Sequence, residues 1–103
     1  MTDLVRSVQD LAPEIVALCQ SLVRINTTNP YSGDRQPGGE QAGQDFLRPL
    51  LQDIGARVVA LDCPADIYER TGLLGPRYRD FSGRPNLVAC WDLGTPGPTV
   101  VLN

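Results

Sequence analysis

Apolar side chains recur at helical spacing in residues 10–24. The apolar positions follow the i, i+3, i+4, i+7, i+8 pattern of one helix face and are Ile15, Leu18, Cys19, Leu22 and Val23. Asp10 suits the N-cap, and Pro13 falls in the first turn, where a missing N–H costs little. The pattern predicts a first helix with one buried stripe. Whether it extends back through Leu4 and Val8 stays open, since Pro13 would then kink it.

A second stretch of helical spacing covers residues 40–54. Its apolar stripe consists of Phe46, Leu47, Leu50, Leu51 and Ile54. Gly55 suits the left-handed position that follows a helix, and Glu40 near the helix start complements the macrodipole. Pro49 lies between the apolar positions and costs a helix interior about 3 kcal/mol. We therefore expect a helix that bends at Pro49 and continues.

Three later stretches have the apolar, β-branched character of strands: residues 57–62, 86–92 and 99–102. The third is almost continuously apolar, which is typical of burial on both faces. The chain stops at Asn103 just after it, so we expect a chain cut short inside a larger domain. Two helices followed by three strands predict a layered α/β arrangement.

Two connecting segments each allow two interpretations. The 25–39 loop, rich in Asn, Gly and Pro, is either a surface connector or an ordered loop that shapes a ligand cleft. The 64–85 segment is either a structural cap, with a helical turn at residues 67–74, or a contact surface. Its aromatic and basic residues are Tyr68, Arg70, Arg77, Tyr78, Arg79, Phe81 and Arg84.

Composition narrows the possible functions. The net charge is −3 and the nine basic residues are spread along the chain, so a nucleic-acid partner is not expected. No segment resembles a membrane span or a signal peptide, which favours the cytoplasm. Cys19, Cys63 and Cys90 form no metal or redox motif, and Cys19 and Cys90 fit a core. The chain has no His, which is the usual general base and the commonest metal ligand.

The order of several short segments is similar to that of a known enzyme family. They are residues 22–30 (LVRINTTNP), 37–40 (PGGE), 46–47 (FL), Gly55, 86–89 (NLVA) and 99–103 (TVVLN). Together they resemble the N-terminal part of the acetylornithine deacetylase, succinyl-diaminopimelate desuccinylase and aminoacylase family of zinc-dependent amidohydrolases and metallopeptidases. The resemblance covers the chain except residues 64–85, a segment longer than expected for the family.

The resemblance implies that residues 1–103 are an incomplete N-terminal part of a three-layer α/β/α catalytic domain. In the family, a Gly-His-x-Asp segment with the first zinc ligands follows the strand that resembles residues 99–103. No metal or catalytic residue can therefore be carried over to this chain. The full-length parent would bind two zinc ions, which polarise the scissile carbonyl and activate a water, while a carboxylate relays the proton.

The resemblance also implies a substrate and a place for the 25–39 loop. The parent would cleave an N-acyl amino acid or a small peptide, with no nucleic-acid or membrane partner, and this chain would need the remainder of the catalytic domain. The possible cleft-side residues are Asn26, Thr27, Thr28, Asn29, Pro30 and Tyr31.

Two other functions remain as alternatives. A small non-enzymatic α/β binding module would use the Tyr68–Arg84 segment as its contact surface. An independent enzyme would need a nucleophile paired with a base, and Ser21, Ser32 and the cysteines have no His partner. We therefore expect the chain alone to be inactive.

Overall fold

A computed structural model describes residues 2–72 and 80–103. These residues form a mixed α/β structure of four helices and two strands. The elements in chain order are α1 Thr2–Asp10, α2 Ala12–Arg24, α3 Gln41–Asp53, β1 Arg57–Leu61, α4 Ile67–Thr71 and β2 Asn86–Cys90. The predicted α/β class is thus confirmed in its broad form.

The N-terminal arm consists of α1 and α2, which follow each other with only Leu11 between them and are linked by backbone hydrogen bonds of Leu11. The predicted first helix is confirmed as α2, and the segment before it is helical too but separate. Leu11 takes the N-cap position of α2, so the prediction of Asp10 as N-cap is wrong: Asp10 ends α1. Pro13 has no N–H with which to continue the ladder, and this explains why the helix is interrupted here.

The second predicted helix is confirmed as α3, with Pro49 inside it. Gly55 follows the helix with φ 89°, a left-handed conformation that glycine adopts without steric cost. The Gly55 N–H donates to the Gln52 carbonyl at 2.9 Å, and the Ala56 N–H donates to the Leu51 carbonyl at 3.0 Å. This pair of bonds is the Schellman motif, which ends α3 and turns the chain into β1.

The two strands form an antiparallel sheet in which Arg57 pairs with Cys90 and Leu61 with Asn86. Helix α3 packs on both strands. The Trp91 indole N–H donates to the Ile54 carbonyl at 3.1 Å, which fastens the end of β2 to the α3–β1 junction. Ala56, at 8 % exposure, is the buried hydrophobic residue of this small core.

Several sequence predictions about burial are wrong. The α2 stripe is exposed at Ile15, Leu18 and Val23, because α2 has no sheet packed against it in the described residues. Cys19 and Cys90 are exposed and not core residues. The α3 stripe is half-buried at best, with Leu50 and Ile54 exposed.

The third predicted strand does not form. Residues 99–102 are in no strand, and Val100, Val101 and Leu102 are exposed, because no strand in the described part of the chain lies beside them. The predicted helical turn at residues 67–74 is present as α4, which ends at Thr71 because Gly72 takes a left-handed conformation; residues 73 and 74 lie outside the described residues. Among the described helices, none is long and apolar enough to cross a lipid bilayer.

Candidate functional site

The 25–39 loop is an ordered loop that folds back on itself. The Asn26 side-chain amide donates to the Gln36 carbonyl at 2.8 Å, and its oxygen accepts from the Thr28 N–H at 3.1 Å. The Gly39 N–H donates to the Thr28 carbonyl at 3.0 Å. Asn26 thus joins the beginning of the loop to its end. A run of turn-forming residues does not by itself require such a connection.

The two ends of the loop approach too closely for any side chain at Gly38. A Cβ atom there would lie 1.7 Å from the Asn26 carbonyl oxygen, far inside van der Waals contact. A Cβ atom on Gly43, in the first turn of α3, would lie 2.9 Å from the Thr27 methyl group. Glycine at these two positions therefore lets the loop lie against itself and against α3.

Two further Asx turns shape the tip of the loop. The Asn29 side-chain oxygen accepts from the Tyr31 N–H at 2.8 Å, and the Asp34 carboxylate accepts from the Gln36 N–H at 2.9 Å. Such side-chain bonds to the backbone two residues on are typical of Asn and Asp. They leave the Tyr31 ring directed away from the loop, toward residues 80–84.

A cluster that we call the Arg84 clasp joins this loop to the segment before β2. It consists of Tyr31, Glu40, Phe81 and Arg84. The Arg84 guanidinium donates to both Glu40 carboxylate oxygens at 2.8 Å and lies 5.8 Å from the centre of the Tyr31 ring and 5.2 Å from that of Phe81. The Tyr31 hydroxyl also accepts from the Asp80 N–H.

The electrostatics of the clasp follow from its contacts. The hydrogen bonds from Arg84 lower the pKa of the Glu40 carboxyl, and partial burial opposes this shift without reversing it. The same pair raises the pKa of Arg84. The Arg84 side chain is 14 % exposed and that of Glu40 32 %, so water reaches the pair only in part. Glu40 occupies the N-cap position of α3, but its side chain makes no capping hydrogen bond there and pairs with Arg84 instead.

A shallow, open depression of about 770 Å³, which we call the cleft, lies between the end of α2 and the 25–39 loop. Its lining residues are Leu22, Val23, Arg24, Ile25, Asn26, Thr27, Thr28, Asp34 and Gln36. Of the predicted cleft-side residues, Asn26, Thr27 and Thr28 line this cleft. Asn29, Pro30 and Tyr31 do not, and Tyr31 belongs instead to the clasp. The wall offers amide, hydroxyl and charged groups that suit a polar ligand.

The segment proposed as a contact surface is partly engaged within the chain. Arg84 is held in the clasp, and the Tyr68 and Phe81 rings lie 6.3 Å apart. Arg70 pairs loosely with Asp66 at 3.4 Å, with both side chains exposed. Residues Arg77, Tyr78 and Arg79 lie outside the described residues. The commitment of Arg84 weighs against its use as a free anchor for a partner.

The described residues do not fit a zinc site. Within residues 2–72 and 80–103, no three His, Cys, Asp or Glu side chains come close enough to hold a metal ion. Since the chain contains no His, it also offers no imidazole ligand or base. No step of a metal-dependent reaction can be assigned to these residues.

Sequence reasoning missed the clasp itself. Glu40 follows Pro-Gly-Gly at the start of a helix. An acidic residue at that position is explained by the helix macrodipole, without any ion-pair partner. Arg84 lies 44 residues away in a segment with several arginines, and periodicity gives no means of pairing them. The signal in the sequence was the combination of an acid that closes a Gly-rich loop and an Arg directly before Pro85 and β2.

Comparison of the chain with protein-family models, with curated proteins and with solved structures found no match.

Proposed function

We propose that this chain is a scaffold segment of a dinuclear-zinc hydrolase that cleaves an amide or peptide bond of an N-acyl amino acid or a small peptide. On this proposal the chain alone is inactive, because the metal ligands and the catalytic carboxylate are supplied by residues outside it. The support is the order and spacing of the short segments quoted above, together with one observation on the fold.

That observation is the exposure of apolar side chains on α1 and α2 and in the segment after β2. Val23 is 84 % exposed and Leu102 92 %, and the α1 residues Leu4, Val5 and Val8 are all more than half exposed. A domain that is complete in itself buries most of its large aliphatic side chains. The arm and residues 100–102 therefore offer surfaces that suit packing against further protein, as the scaffold role requires and a free-standing module does not.

In this role the chain would support and shape the substrate cleft. Helix α3 and the β1–β2 sheet would form part of the α/β/α layers, and the 25–39 loop would line the entrance to the cleft. The polar groups of Asn26, Thr27 and Thr28 suit contact with the amide or carboxylate of an N-acyl amino acid, and they are hydrogen-bonding groups without a catalytic function of their own.

The test uses the full product of the gene. We expect it to contain two zinc ions per chain by mass spectrometry and to release amine from a panel of N-acyl amino acids and dipeptides. A chelator should abolish the activity and added zinc restore it, whereas residues 1–103 expressed alone should be inactive. A full-length product that binds no zinc and hydrolyses none of the panel would refute the proposal.

A further inference from the structure

We infer that Arg84 is a positioning residue for the cleft: the clasp holds the 25–39 loop in the shape that forms the cleft wall, although Arg84 itself lines no part of the cleft. The inference concerns the conformation of the loop, so it stands or falls independently of the proposed hydrolase function. It goes beyond the scaffold role by assigning control of the cleft to one side chain from a distant segment.

The clasp contacts the 25–39 loop at two separate points. Tyr31 lies near the middle of the loop and Glu40 directly follows its end, so one guanidinium contacts the chain at two points nine residues apart. Asp34 and Gln36, which line the cleft, lie between these two points. The stretch that carries them is therefore tied at both sides to Arg84.

The restraint passes to the opposite wall of the cleft through Asn26. The Gln36 carbonyl accepts the Asn26 side-chain amide at 2.8 Å, and the other end of that side chain fixes the Thr28 N–H at 3.1 Å. A shift of residues 32–39 would break the first bond and release Asn26. Both walls of the cleft thus depend on a contact that lies outside it.

The contacts of Arg84 are of a type that is strong enough to restrain the 25–39 loop. A bidentate guanidinium–carboxylate pair is charge-assisted and fixed in direction, and two aromatic rings within 6 Å add attraction to the cation. The Arg70–Asp66 pair offers a contrast within the same chain, because its side chains are 64 % and 60 % exposed. Exposed pairs of that kind contribute little.

The geometry also requires arginine and not merely a positive charge. Lys presents a single ammonium group, which cannot make two parallel bonds to Glu40 and lacks the planar guanidinium that lies against Tyr31 and Phe81. Arg84→Lys therefore keeps the charge but should lose the contacts that restrain the loop. This makes the substitution a test of the clasp itself.

The test is hydrogen exchange, followed by mass spectrometry on the protein without substrate. We expect Arg84→Gln and Arg84→Lys to accelerate exchange in residues 26–39 at least tenfold while β1 and β2 keep their protection. Arg70→Gln is the matched control and should leave the loop unchanged. Glu40→Gln keeps the shape of its side chain, and it should reproduce the effect and add little when combined with Arg84→Gln.

Two results would overturn the inference. Unchanged exchange in residues 26–39 in both Arg84 variants would show that the loop holds its own shape. Equal acceleration throughout the loop, α3 and the sheet in Arg84→Lys and Glu40→Gln would show that the clasp supports the fold as a whole and has no specific role in the loop.

Discussion

Replacement of Gly38 by alanine tests the closure of the 25–39 loop directly. The new Cβ atom would lie 1.7 Å from the Asn26 carbonyl oxygen and 2.5 Å from its carbonyl carbon. These are backbone atoms, so a change of rotamer cannot relieve the overlap. The two ends of the loop must therefore separate by more than an ångström, on the order of the deficit from van der Waals contact.

The expected cost follows from what that separation breaks. The Asn26–Gln36 bond at 2.8 Å and the Gly39–Thr28 bond at 3.0 Å both join the two ends. Each contributes about 1 kcal/mol net, and the overlap itself adds about 1 kcal/mol or more. We expect the free energy of loop opening to fall by about 3 kcal/mol, or about a hundredfold in exchange rate.

Hydrogen exchange at the Gly39 amide, which donates to the Thr28 carbonyl across the two ends of the loop, measures this cost, with two glycine positions of the same chain as controls. Gly39 has φ 77° and open space around it, so Gly39→Ala carries only backbone strain of about 1 kcal/mol. Gly97 has neither restriction, and Gly97→Ala should be neutral or slightly stabilising. If Gly38→Ala leaves the Gly39 amide as protected as Gly97→Ala does, the close approach is wrong.

Two further predictions concern Glu40 and Pro49. The folded-state pKa of Glu40 is lowered, chiefly by the Arg84 hydrogen bonds. The contribution of Glu40 to stability should therefore be complete above the unfolded-state pKa of about 4.3 and disappear as the pH falls through the folded-state pKa. Urea unfolding of wild type and Glu40→Gln at a series of pH values should then converge in acid, and a constant difference would contradict this. Pro49→Ala should raise the free energy of unfolding by about 1–3 kcal/mol, because the exposed ring loses no packing and the helix regains an N–H donor; a lower free energy of unfolding would show that the ring is needed where it lies.

Local patterns predicted the elements of the fold well because each depends on neighbouring residues. The Pro13 and Pro49 positions, the Gly55 helix stop and the starts of both strands at Arg57 and Asn86 all follow from backbone chemistry within a few residues. Burial was predicted less well. A stripe such as the one through Ile15 and Leu18 shows that a helix has an apolar face, but not what protein lies against that face.

The candidate site shows the same division between local and distant information. The turn-forming residues from Asn26 to Asp34 left open whether this segment is a surface connector or an ordered loop, and their side-chain bonds to the nearby backbone give it a defined shape in the structure. The contact of Arg84 with Tyr31 and Glu40 joins positions 53 and 44 residues apart, which single-sequence periodicity cannot pair. The sequence therefore placed Tyr31 in a cleft-side loop but did not predict its contact with Arg84.

The junction between α3 and β1 limits how the length of this chain can change in evolution. It has three residues, and each has a specific structural role: the Ile54 carbonyl accepts a hydrogen bond from the Trp91 indole N–H, Gly55 adopts the left-handed conformation and Ala56 is buried. One inserted residue would also reverse which face of β1 is turned toward α3. We expect insertions and deletions among homologues to be excluded from residues 54–56 and to collect in open turns such as the one around Gly94 and Gly97, where no neighbouring atom lies within 4 Å of the added Cβ.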